Sequence, residues 1–218
     1  MEWEDVDTRH AYDRIREAIV TLDLAPGALV DDQALSRTLD ISAVAVREAL
    51  KLLAHDGLVE ITPRHGFYVA DISLEDLAQI SEARLTLEPL CAGLAAERAS
   101  PDDLAVLDAL GREQAATPPD DGKRWLDMDH RFHQAIVRAA KNRHLARILE
   151  HLFGLSQRLW HLVLPRLDAL PVSVAQHLEL TAAIERRDAD AARRIMHGHV
   201  KSFYDQVRRV LDTQGTEG

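Results

Sequence analysis

In the stretch Trp125-Leu126-Asp127-Met128-Asp129-His130-Arg131-Phe132-His133-Gln134-Ala135-Ile136, a carboxylate and an imidazole stand four residues apart, at Asp129 and His133. Apolar residues at Leu126, Phe132, Ile136 and Ala139/Ala140 recur with helical spacing, so both side chains project from one helix face. Two later histidines also fall on apolar stripes. His177 is in register with Leu180 and Ile184, and His199 with Met196 and Phe203, which points both rings into a helical core. One carboxylate and three imidazoles form an N3O donor set for a divalent transition ion, with positions left for water or a ligand. Ordinary core histidines bonded to carbonyls would leave the same pattern, and eleven histidines in 218 residues put some on stripes by chance. On either reading each buried ring nitrogen needs a partner.

The elements that must position these groups are set by length and composition. The chain is 46% hydrophobic over 218 residues, enough for one large domain or two small ones. Its first residues are acidic, without the basic flank and apolar run of a signal peptide, and no apolar stretch approaches ~18 residues. Secretion and a membrane span are therefore not expected, and a cytoplasmic location is. The one cysteine, Cys91, lies in a helical run and reads as a small core residue. Net charge is minus 10, and the first 70 residues carry 13 acidic against 7 basic side chains. That balance weighs against nucleic-acid binding, which draws most of its affinity from phosphate neutralisation.

The order of elements nevertheless points to a DNA-binding module. Residues 8–23 read as an amphipathic helix through Tyr12, Ile15, Ile19 and Leu22, followed by an Ala25-Pro26-Gly27 turn and a short strand at 28–30. Asp31 caps a helix over 32–39 and Ser42 caps another over 43–56, which Gly57 stops. Segments 58–62 and 67–70, rich in β-branched and aromatic residues, flank Pro63-Arg64-His65-Gly66 as a hairpin. Helix, helix-turn-helix and hairpin together make a winged helix-turn-helix. From residue 73 onward the spacing predicts helices only, starting at Ser73, Ser100, about 123, 143, 172 and 189, so the fold class is mainly α. It comprises an N-terminal winged helix-turn-helix over 1–71 and an all-helical bundle over 72–218.

Tyr12-Asp-Arg-Ile-Arg-Glu-Ala-Ile, Ala25-Pro-Gly, Val46-Arg-Glu-Ala-Leu, Asp56-Gly-Leu-Val and Arg64-His-Gly-Phe resemble the GntR family of bacterial transcription regulators. The resemblance implies contacts to double-stranded operator DNA from Arg37, Ser42, Ala43, Val44, Arg47, Lys51, Arg64, His65 and Gly66. Family members commonly carry Ser-Arg-Thr-Pro before the Val-Arg-Glu-Ala-Leu run, where this chain has Ser42-Ala43-Val44-Ala45. Methyl groups at a helix start can touch thymine but cannot report guanine.

Leu87-Glu-Pro-Leu, Asp129-His-Arg-Phe-His, His177 ahead of Ala182-Ala-Ile, and Arg187-Asp-Ala-Asp-Ala-Ala followed by Met196-His-Gly-His resemble the FCD ligand-binding domain of the FadR-like subfamily. The resemblance implies that Asp129, His133, His177 and His199 are metal ligands, with zinc first and nickel or manganese as alternatives. It also places Arg84 beside the metal to hold the carboxylate of a small organic acid effector, the other reading of Arg84 being an exposed pair with Glu88 one turn on. The expected function is a homodimeric, ligand-responsive transcription regulator. A metal-dependent enzyme using the same Asp/His3 set is the alternative, for which the sequence offers no convincing general base or nucleophile.

Overall fold

A computed structural model describes residues 6–118, 121–163 and 170–214, and the chain divides between Ser73 and Leu74 into two compact units. The first contains α1 (Val6–Val20), β1 (Leu29–Val30), α2 (Asp32–Leu39), α3 (Ala43–His55), β2 (Val59–Thr62) and β3 (Gly66–Val69). Helix α1 ends earlier than its apolar spacing suggests, because Leu22 adopts a left-handed conformation with φ 65°. Asp31 accepts the Ala34 amide and Ser42 the Ala45 amide, so both predicted N-caps are formed. At the other end of α3, Gly57 at φ 71° lets the Leu58 amide turn back to the Leu53 carbonyl, closing the helix with a six-to-one bond. The strands form an antiparallel sheet in the order β1-β3-β2, with Val30 beside Phe67 and Val59 beside Val69. Ile15, Ile19, Val46, Leu50, Leu53 and Val69 are its buried apolar centre.

The second unit contains α4 (Leu74–Arg98), α5 (Pro101–Ala115), α6 (Gly122–Ala139), α7 (Arg143–Val163), α8 (Leu170–Glu185) and α9 (Ala189–Gln214). No strand is present among its described residues. Pro165 and Pro171 can each interrupt a helix; Pro165 lies outside the described residues and Pro171 falls in the first turn of α8, where no helical donor is needed. Pro89 sits inside α4 and withholds an amide from the carbonyl four residues back, yet the helix runs through it. The core is a seam of small residues. Ala92, Ala95 and Ala96 of α4 and Ala99 just after it pack with Ala191, Ala192, Met196 and Val200 of α9, and Phe132, Ile136, Leu180 and Ile184 close the cluster from α6 and α8. Short side chains let two helix axes approach closely.

The turns are held by side chains reaching across helices. Arg187, left-handed at φ 59° between α8 and α9, donates to the Ala96 and Ala99 carbonyls at the end of α4. Ser100 and Asp103 form a reciprocal capping box at the start of α5, and Lys141 binds Asp103 at 2.6 Å.

Candidate functional site

Asp129 and His133 project from α6, one turn apart, while α8 brings His177 and α9 brings His199 to the same point. One ligand atom from each of the four lies within 4.8 Å of every other. His133 Nε2 is 3.1 Å from His199 Nε2, and His177 Nε2 is 3.2 Å from that same atom. Asp129 places Oδ1 3.5 Å from His177 Nε2 and Oδ2 3.8 Å from His133 Nε2. All three rings are buried, and the Asp129 side chain is 16% exposed.

The protons on these rings decide what the cluster can hold. Glu88 of α4 is 2.5 Å from His133 Nδ1, Gln114 Oε1 of α5 is 2.6 Å from His177 Nδ1, and Gln176 Oε1 of α8 is 3.0 Å from His199 Nδ1. Each oxygen accepts the Nδ1–H, which leaves the Nε2 lone pairs facing one another. Converging lone pairs repel unless a proton or a metal cation stands between them. Nitrogens 2.0–2.1 Å from a tetrahedral ion are about 3.3 Å apart, close to the spacing observed. The donor chemistry and its supporting acceptors therefore fit a divalent ion of zinc type.

Charge follows from burial and neighbours. Burial, and then the adjacent rings of His199 and His133, hold His177 well below its ordinary value; burial and His133 bring His199 down to about 3. For His133 burial also pulls down, but Glu88 and Asp129 outweigh it and the ring is raised. Asp129 is raised, chiefly by burial. Burial alone would raise Glu88, yet Arg84 and His133 hold it at about 2.

Arg84 lies in the same place, though not as an exposed pair. Its Nε donates to Glu88 Oε1 at 2.5 Å, with the side chains 7% and 1% exposed. The guanidinium sits 4.9 Å from the Phe153 ring centre and 4.8 Å from that of Trp160. It lines a cavity of about 10 Å³ with Asp129, His133, His199 and an apolar wall that includes Leu77, Trp160, Phe203 and Val207. That is room for about one water.

Glu88, Gln114 and Gln176 were not legible as site residues. The signal for Glu88 was available, since it follows Arg84 by four residues inside Leu87-Glu-Pro-Leu, but nothing in the sequence says that His133 crosses to α4. His130, next to a ligand, turns to Gln134 at 2.9 Å and meets Phe153 edge-on, and Glu179 is exposed.

In the first unit, Val44 is 69% exposed at the start of α3, and Arg37, Arg47, Lys51, Arg64, His65 and Gly66 are all exposed. Ala45 differs from expectation. It is buried, so its methyl belongs to the core and only Ala43 and Val44 remain at the helix start. Ser42 spends its hydroxyl on the cap of α3. Arg47 is ion-paired with Asp32, and Lys51 with Glu48 at 2.7 Å, so these cations are already engaged by carboxylates. Arg64 and Gly66 take left-handed conformations, φ 67° and 107°, at the hairpin tip.

Residues 7–69 match the bacterial regulatory proteins of the gntR family, and residues 79–202 match the FCD domain. An HTH-type transcriptional regulator in an unstable DNA locus of Streptomyces ambofaciens is 29% identical over 209 residues, covering 93% of this chain and 85% of that protein. The HTH-type transcriptional repressor RspR of Escherichia coli K12 is 27% identical over 200 residues, covering 91% and 88%. Among solved structures, E. coli McbR/YncC has a similar fold with TM-score 0.84 at 22% identity, covering 94% of this chain and 98% of its own. A GntR regulator from Rhodococcus sp. RHA1 has TM-score 0.74 at 21% identity, covering 92% and 96%.

Proposed function

The chain belongs to the GntR family of transcription regulators and carries an FCD domain, and from that premise we propose that it is a cytoplasmic homodimer whose hold on operator DNA responds to a small organic acid. The family consists of regulators, so the enzyme alternative drops away. Residues 1–71 bind DNA in this reading, and residues 72–218 bind metal and effector. The single observation that supports it best is the convergence of three Nε2 atoms and Asp129 inside an FCD domain.

Asp129, His133, His177 and His199 would hold a zinc ion, which supplies a Lewis-acidic anchor for an effector carboxylate. Glu88, Gln114 and Gln176 orient the three rings through Nδ1. Arg84 presents a guanidinium to the same cavity. Since that cavity takes about one water as it stands, an effector must part the apolar wall, and the arrangement with the wall parted is the one it favours. A ligand shifts an equilibrium only through such differential affinity. In the winged domain, Arg37, Arg47, Lys51, Arg64 and His65 would supply phosphate contacts, with Ser42, Ala43, Val44 and Gly66 at the DNA surface.

The deciding experiment is a mobility-shift assay against the DNA upstream of the protein's own gene, with and without zinc and a panel of organic acids. A retarded complex whose midpoint moves with acid only in the zinc-loaded protein is expected. Retardation unaffected by every acid would refute the sensor, and no retardation at low salt would refute the regulator's DNA site.

A further inference from the structure

Glu88 is bonded on both oxygens, by Arg84 Nε at Oε1 and by His133 Nδ1 at Oε2, and its side chain is 1% exposed. The guanidinium that faces the cavity is thus neutralised from behind by a carboxylate that cannot turn to solvent. Arg84 and Asp129 are the charged residues lining the cavity, apart from the histidines. Asp129 is a ligand and takes one of the two positive charges of a divalent ion. One positive charge is left uncompensated.

Resting on the metal-anchored reading above, we infer that the effector is a short monocarboxylate with an apolar tail, and that Glu88 is the residue that excludes dicarboxylates. One carboxylate neutralises the remaining charge, with an oxygen on the ion and the other toward Arg84. The rest of the molecule then meets Leu77, Trp160, Phe203 and Val207 and the hydroxyls of Ser81, Ser156 and Tyr204, none of which is charged. A second carboxylate would be buried there with hydroxyls to donate to it but no cation to offset its charge, which is disfavoured. Glu82 and Arg208, which act on Tyr204 together with Arg84, are both exposed to solvent and offer it no enclosed partner.

Butyrate and succinate separate the possibilities, because they share a four-carbon backbone and differ only in a methyl against a carboxylate. Titrated calorimetrically into the zinc-loaded full chain, with zinc content verified afterwards, butyrate is expected to bind at least about tenfold more tightly than succinate. Glu88→Gln keeps the shape and an acceptor for His133 but frees the charge of Arg84. The variant is expected to raise the ratio of succinate to butyrate affinity by at least about tenfold. Succinate preferred by the wild-type protein in a zinc-dependent manner overturns the inference while leaving the metal-anchored site standing, and so decides the matter even where the variant fails to fold. An unchanged ratio in a folded, zinc-loaded Glu88→Gln protein assigns the selectivity to something other than Glu88. Neither acid binding, or butyrate binding equally well after zinc is stripped, removes the metal-anchored reading and this inference with it.

Discussion

At His133 Nε2 a proton and a metal ion compete for one lone pair. Burial pulls this ring down, but Glu88 and Asp129 outweigh it and raise it, so the metal-free ring takes up a proton at Nε2 more readily than a free imidazole does. The stability this gives the metal-free protein is present below the unfolded histidine value and is lost as pH rises through the folded one. Zinc behaves in the opposite sense, because it must displace that proton. The increase in melting temperature on adding zinc is therefore expected to grow from about pH 6 to about pH 8. With zinc at a hundredfold over its Kd the increase is on the order of 5 to 10 °C, and His133→Ala should remove most of it. Thermal melts at two pH values with and without zinc read this directly, and an increment independent of pH would count against His133 as a ligand. On the DNA side, Arg47→Ala is expected to weaken operator binding at least about tenfold and to flatten its salt dependence. Ala43→Arg should strengthen binding. Unchanged affinity of Arg47→Ala in fluorescence anisotropy at low salt would show that α3 docks differently.

Capping decides where α5 begins, and a single carboxylate serves both its cap and its link to the end of α6. Asp103 is held at about 2 by Lys141 and Ser100. Such a depressed carboxylate contributes stability above its unfolded value, near 4, that is lost as pH falls toward the folded one. Asp103→Ala is expected to cost about 1 kcal/mol at pH 7, and urea melts should show the difference shrinking at pH 3. A constant difference would tie the loss to packing instead of charge. Elements of this kind were open to sequence reasoning, because Ser100-Pro101-Asp102-Asp103 carries its own punctuation, as do Asp31 and Ser42. The clustering of Asp129, His133, His177 and His199 was legible through spacing on a helix face and through resemblance. The acceptors behind them were not. Glu88, Gln114 and Gln176 act on rings borne by other helices or, for Gln176, on another helix from its own, and that register belongs to tertiary packing. The burial of Ala45 was hidden for the same reason, since a helix start next to a turn has no full apolar period to read.

As a whole, the molecule combines an acidic winged module with a helical FCD bundle, and the proposed mode of binding rests on symmetry. A two-fold dimer reads a pseudo-palindrome with two winged domains, one per half-site. Sedimentation at micromolar concentration is expected to give about twice the 24.4 kDa of the chain. A monomer there would be incompatible with the proposed operator geometry. In the proposed docking mode the acidic balance of the first 70 residues would make affinity depend on a few cations, and those at Arg47 and Lys51 would have to exchange a carboxylate for a phosphate on binding.

The alanine seam between α4 and α9 also acts as a ruler. Glu88 and His199 stand on the two helices it joins, and both reach His133. Helix spacing follows the bulk of the side chains in contact, so the gap into which an ion must fit is gauged by methyl groups that never touch it. Ala96→Leu should loosen zinc binding while every ligand stays in place, measurable as a raised Kd in competition with a chromogenic chelator; an unaltered Kd would show that the gauge lies elsewhere. On the proposed reading, the choice of ion would be written partly in the smallest side chains of the bundle, where a search for polar residues would never look.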